Sequence, residues 1–126
     1  MIATIIASCK HDDSKTASPA PVGCYTDTVN TVSFARDIVP VLRQNCALSG
    51  CHTGSAPTGN LNLDSGIAYA ALMKPGTGYI NTATPTASLL YSQLTSTADP
   101  MPPTGKLDNC TISLVLKWIQ QQAPNN

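Results

Sequence analysis

The sequence is short of charge, of aromatic rings and of long apolar runs, and each shortage excludes something. Only 11% of the 126 residues are charged; Lys+Arg and Asp+Glu each number 7, so the formal net charge is zero. A neutral chain offers no basic surface for nucleic acid and little long-range steering. Aromatic residues make up 5%, with one Trp and one Phe, so few large side chains are on hand to fill a core. No apolar run reaches the ~18 residues of a membrane span. What is plentiful is punctuation. Ten prolines and eight glycines predict a loop-rich fold, and the length predicts one domain. Such a chain gains from a bulky apolar group that it does not itself encode.

The first nine residues, "MIATIIASC", form a short apolar stretch that ends in small residues and a cysteine. The stretch resembles the end of a bacterial lipoprotein signal peptide, with Ile6-Ala7-Ser8-Cys9 as the lipobox; the basic segment that opens such a leader is missing. On this reading residues 1–9 are a signal remnant, and Cys9 is lipidated and anchors the chain to a membrane. The following "KHDDSKTASPAPVG" is polar and rich in Ser, Ala and Pro. It cannot bury a core, so residues 10–23 read as a flexible tether. "KHDD" loosely resembles the acidic export signal of Bacteroidetes surface lipoproteins, and solvated linker charges explain it equally well. The expected location is the cell envelope, facing the periplasm or exposed on the outer membrane.

Residues 24–126 read as the folded domain, all-α with much loop. Ser33 is placed to cap a helix over "FARDIVPVLRQNC". Phe34, Ile38, Val41 and Leu42 mark its apolar face, and Pro40 predicts a kink. Weak helices are expected over 65–73 and 88–96, with Leu89, Leu90 and Leu94 inward. "ADPMPPTGK" holds three prolines and excludes regular structure. The clearest helix follows Asp108 as cap, with Ile112, Val115, Leu116 and Ile119 on one face and Trp118 at its edge.

Five cysteines organise the chemistry. Cys9 fits the lipobox. Cys46 and Cys51 flank the stretch "CALSGCH". Cys24 and Cys110 remain, and a bond between them would tie the two ends of the domain, in a compartment where disulfides persist. In "CALSGCH" the second thiol is followed at once by His52. Covalent haem attachment joins two thiols to two vinyl groups and presents the next histidine to iron. Cys51 and His52 have that adjacency. Leu48 and Ser49 lengthen only the path from Cys46, and Gly50 can take positive φ and let the loop bulge. A methionine thioether is a common second axial ligand. Met101 in "DPMPPTG" is the candidate, stiffened by Pro100, Pro102 and Pro103. Met73 is the runner-up, and a helical Met is more often core. His11 lies in the tether and reads as solvated.

Together "VSFARDIVPVLRQNC…GCHTG", "GNLNLDS", "MPPTGKL" and "LVLKWIQQQAPNN" resemble the small class I c-type cytochromes of Bacteroidetes and Planctomycetes. The resemblance covers residues 24–126; the four-residue spacer departs from the usual pattern. It implies a cytochrome c-like helical domain with long loops wrapped around one covalent haem c. The first and last helices would cross, Cys46 and Cys51 would carry thioethers, and His52 and Met101 would be the axial ligands. Ile38, Leu42, Leu61, Leu63, Leu90 and Pro102 are expected to line the pocket. The function implied is one-electron transfer, as a membrane-anchored carrier or a subunit of a larger redox assembly. Redox proteins are the expected partners, with no nucleic acid, no small-molecule substrate and no catalytic residue. Three rivals stay open: a structural zinc module built on Cys46, Cys51 and His52, a disulfide-stapled surface domain, and a haem enzyme with an open distal site.

Overall fold

A computed structural model describes residues 23–126. The lipobox with Cys9 and nearly all of the tether lie outside the described residues. Among the described residues there are four α-helices and no strand: α1 (Val39–Asn45), α2 (Ala68–Leu72), α3 (Leu89–Thr95) and α4 (Asn109–Gln120). Short helical turns at Tyr25–Asp27, Thr58–Asn60 and Pro85–Ala87 punctuate the loops. Among the described residues, no helix is long and apolar enough to cross a membrane.

The Ser33 cap forms as the sequence predicts. Its hydroxyl accepts from the Arg36 N–H at 3.2 Å, and the Asp37 carboxylate accepts from the Ser33 N–H at 2.7 Å. Pro40 does not kink a continuous α-helix. Residues Phe34–Ile38 instead form a π-helical turn that leads into α1, and Pro40 sits in the first turn of α1. The Ile38 N–H reaches the Ser33 carbonyl, five residues back. The ladder widens just ahead of the residue that has no N–H to give, and a proline is tolerated where a helix begins.

Helix α4 is the longest, and Asp108 caps it by accepting from the Thr111 N–H at 2.9 Å. Ile112, Val115, Trp118 and Ile119 are buried along it. Trp118 is not at the edge of this face. It is fully enclosed, because the few large rings gather in one place. Phe34 stacks against it with centroids 5.2 Å apart, and Tyr69 meets Phe34 edge-on at 5.1 Å. The polar tips are satisfied at the margin of this cluster. The Trp118 indole donates to the Pro124 carbonyl at 3.0 Å, and the Tyr69 hydroxyl to the Ala123 carbonyl at 2.9 Å.

A second stripe of α4 holds the chain that precedes Phe34. Cys110 is bonded to Cys24, with Cα atoms 5.2 Å apart. The Lys117 ammonium donates to the carbonyls of Thr26 and Val29, at 2.6 and 2.7 Å. The Gln121 amide donates to the Asn30 carbonyl and accepts from the Val32 N–H. Positions 110, 117 and 121 recur at helical spacing, so one face presents all three. The segment from Cys24 to Val32 therefore runs alongside α4 in the same direction. A cross-link over a sequence separation of 86 removes unfolded-state entropy worth about 4–5 kcal/mol in the chain-entropy account.

Candidate functional site

Helix α1 ends at Asn45, and Cys46 occupies the position after it, its N–H bonded to the Leu42 carbonyl at 2.8 Å. The four-residue spacer is taken up in two nested closures. The Cys51 N–H bonds the Leu48 carbonyl at 2.9 Å, and the His52 N–H bonds the Cys46 carbonyl at 3.1 Å. The inner closure is a tight turn whose third residue, Gly50, has φ +79°. That conformation penalises a side chain and is open to glycine. The two additional residues thus form a turn of their own, and the backbone of His52 is returned to the end of α1.

The loop after His52 is folded back on the histidine. The ring Nδ1 lies 3.0 Å from the Thr58 carbonyl oxygen and 3.3 Å from that of Leu61. A carbonyl only accepts, so Nδ1 carries a hydrogen, and in the neutral ring that tautomer leaves the lone pair on Nε2. The Leu63 N–H closes onto the His52 carbonyl at 2.8 Å. Asp64 fixes the other end of the loop. Its carboxylate accepts from the Thr53 hydroxyl and from the Gly54 N–H, and these bonds hold its pKa below the ordinary carboxylate value.

The 46–63 segment borders an apolar cavity of about 430 Å³, inside the range of roughly 300–1,000 Å³ typical of cofactor and ligand sites. From the 46–63 segment it is lined by Cys46, Cys51, His52, Leu61 and Leu63. From α3 and the proline-rich segment it is lined by Leu90, Met101 and Pro102. Met101 is anchored through its N–H, which bonds the Gln93 carbonyl at 3.0 Å. The Met101–Pro102 peptide bond is cis.

Two residues expected in the lining are elsewhere. Ile38 and Leu42 are buried in the core and do not border the cavity; apolar neighbours enclose both side chains. Met73 packs against the core and likewise does not line it. Leu89 borders the cavity but is 40% exposed rather than fully inward. The sequence reading missed Asn45, Tyr79, Gln93, Asp99 and Pro103. Asp99 and Pro103 flank Met101 closely enough that the proline-rich stretch could have suggested them. Tyr79 and Gln93 carry no local signal.

Within the cavity wall the two thiols differ. Burial pushes the Cys46 thiol up to about 11, with a further contribution from the neighbouring Cys51. Cys51 is half-buried and Cys46 buried, and neither is in a disulfide. One polar atom of the wall is also unsatisfied: the Gln93 side-chain oxygen is buried without a hydrogen-bond partner. Among the described residues, no three His, Cys, Asp or Glu side chains come together as a metal-binding set. Comparison with protein-family profiles, with curated proteins and with solved structures finds no match to this chain.

Proposed function

We propose that this chain is a monohaem c-type cytochrome that carries single electrons in the cell envelope, held to a membrane through lipidated Cys9. The observation that carries the reading is the convergence of Cys46, Cys51, His52 and Met101 on one apolar cavity. These residues are distant in sequence or separated by an unusual spacer. The donor set fits a haem. Two thiols supply the covalent bonds. His52 offers Nε2 because backbone carbonyls occupy Nδ1, the arrangement by which an outer partner orients a metal-binding imidazole. Met101 offers a thioether, which favours a raised reduction potential.

The haem supplies the one-electron change of its iron. The chain's own residues hold and insulate it: Leu61, Leu63 and Leu90 exclude water, and the 52–64 loop fixes the imidazole. His52 and Met101 would both hold the iron and would leave no site on it for oxygen or peroxide, which favours a carrier over a haem enzyme. The zinc reading is weaker, because a structural site takes four ligands and, among the described residues, no three His, Cys, Asp or Glu side chains come together as a metal-binding set. Redox proteins are the expected partners, either of a free carrier or of a subunit in an oxidoreductase assembly.

The test is the visible spectrum of the full chain produced with haem-attachment machinery. A sharp c-type reduced spectrum that survives denaturation is expected. The weak red band of methionine-to-ferric-iron charge transfer is expected in the wild type and absent in Met101→Ala. A colourless, zinc-loaded protein overturns the reading.

A further inference from the structure

We propose that the two thiols of the attachment loop act in a fixed order, Cys51 bonding first and Cys46 second; this rests on the haem reading above. Both border the same cavity, but at different depths. Cys46 directly follows α1, its N–H tied into the last turn, and its side chain is 8% exposed as part of the hydrophobic core. Cys51 lies on the turn that Leu48 closes, beside exposed Gly50, and is half-buried. Cys51 is the more exposed of the two residues. Cys46 is enclosed by the core except where it borders the cavity.

Each attachment adds a thiol across a vinyl double bond. A sulfur–carbon bond forms, the π bond breaks, and the thiol hydrogen passes to the other vinyl carbon. No electron is gained or lost, so the step needs no oxidant or reductant, only contact between sulfur and vinyl. Contact comes first at Cys51. The bond made there holds the group at the cavity, and the second addition becomes intramolecular, which raises its rate through proximity. The additional spacer residues serve this order. The Leu48–Cys51 turn carries the outer thiol on its own closure, so Cys51 can adjust while α1 keeps Cys46 in the core.

The experiment uses the purified full chain with its Cys24–Cys110 bond intact, incubated anaerobically with ferrous haem. Samples quenched over time are mapped by tandem mass spectrometry for the position of the thioether. Parallel haem-free samples are treated with iodoacetamide. Singly bonded chains are expected to carry the bond on Cys51, and iodoacetamide is expected to label Cys51 at least about tenfold faster, since thiol modification follows access. Cys51→Ala should lag behind the wild type in forming its first thioether. Single bonds found on Cys46, or equal labelling of the two thiols, overturn the order while leaving the haem reading intact. A wild-type chain that acquires no covalent haem even when produced with haem-attachment machinery overturns both.

Discussion

His52 Nδ1 sits 3.0 Å from the carbonyl oxygen of Thr58, six residues further along the chain. A ring nitrogen that donates there fixes the tautomer, so His52 is expected to hold its hydrogen on Nδ1 and its lone pair on Nε2. Nitrogen-15 NMR of the side chain at neutral pH checks this directly. A protonated-type Nδ1 resonance with an unprotonated-type Nε2 is the expected pattern, and the reverse would remove the basis for iron ligation at Nε2.

The carbonyl that holds His52 belongs to a turn that depends on glycine. Gly59 has φ +65°, with no atom within contact of an added Cβ. Substitution there meets backbone strain rather than a clash. Gly59→Val is expected to destabilise by about 1–2 kcal/mol, read as a lowered urea midpoint with unchanged slope. The same variant should broaden the His52 side-chain resonances, because the ring loses its fixed partner.

Much of the fold is legible in the residues, for physical reasons that can be named. Asp108 and Ser33 are recognisable caps because their side chains satisfy helix N–H groups locally. The Cys24–Cys110 bond follows from counting thiols once other roles are set aside. Trp118 is misjudged because helical periodicity places a residue on a face and does not reveal how two rings from distant segments, Phe34 and Tyr69, will close over it. Ile38 and Leu42 are misjudged for a related reason: an apolar helical position says "inward" without saying whether core or cavity lies inside. Gln93 could not be found, since a glutamine in a short helix reads as surface until the fold buries its side-chain oxygen.

That oxygen leads to a third prediction. A buried acceptor with no donor costs roughly 1–3 kcal/mol of desolvation. Gln93→Met keeps the length of the side chain and removes the unpaired group. In the chain without haem it is expected to raise stability by about 1 kcal/mol, measured by thermal or urea unfolding. A destabilised Gln93→Met would mean that the amide is already partnered.

The latches along α4 should behave as one device. Lys117→Met leaves the Thr26 and Val29 carbonyls without their charged donor, a loss of about 1.5–3 kcal/mol by the usual range for such bonds. Replacing Cys24 and Cys110 by Ala should cost about 2–5 kcal/mol. Both changes free the same segment from α4, so the triple variant is expected to lose less than the sum, the signature of coupled sites. Strict additivity would show that the segment is held elsewhere.

Acid should weaken the fold through its capping carboxylates. The Asp108 carboxyl is held below its ordinary value first by the Thr111 hydroxyl, then by the Thr111 N–H; that of Asp37 is lowered first by the hydrogen bond from the Arg36 guanidinium, with a further contribution from the Ser33 N–H. A carboxyl whose pKa is lower folded than unfolded contributes stability that is complete above its unfolded value, about 3.9. That contribution is lost as pH falls through the folded value, because the unfolded chain then binds protons more readily. Stability is therefore expected to stay level, as far as these two groups determine it, from neutral pH down to about pH 5, and to fall below about pH 4. Asp108→Asn preserves an acceptor at the cap and removes one titrating group. It should be somewhat less stable than wild type at neutral pH and show a shallower decline in acid, so that the two unfolding curves converge. Curves that stay parallel from pH 5 to pH 2 would place the acid sensitivity in other residues.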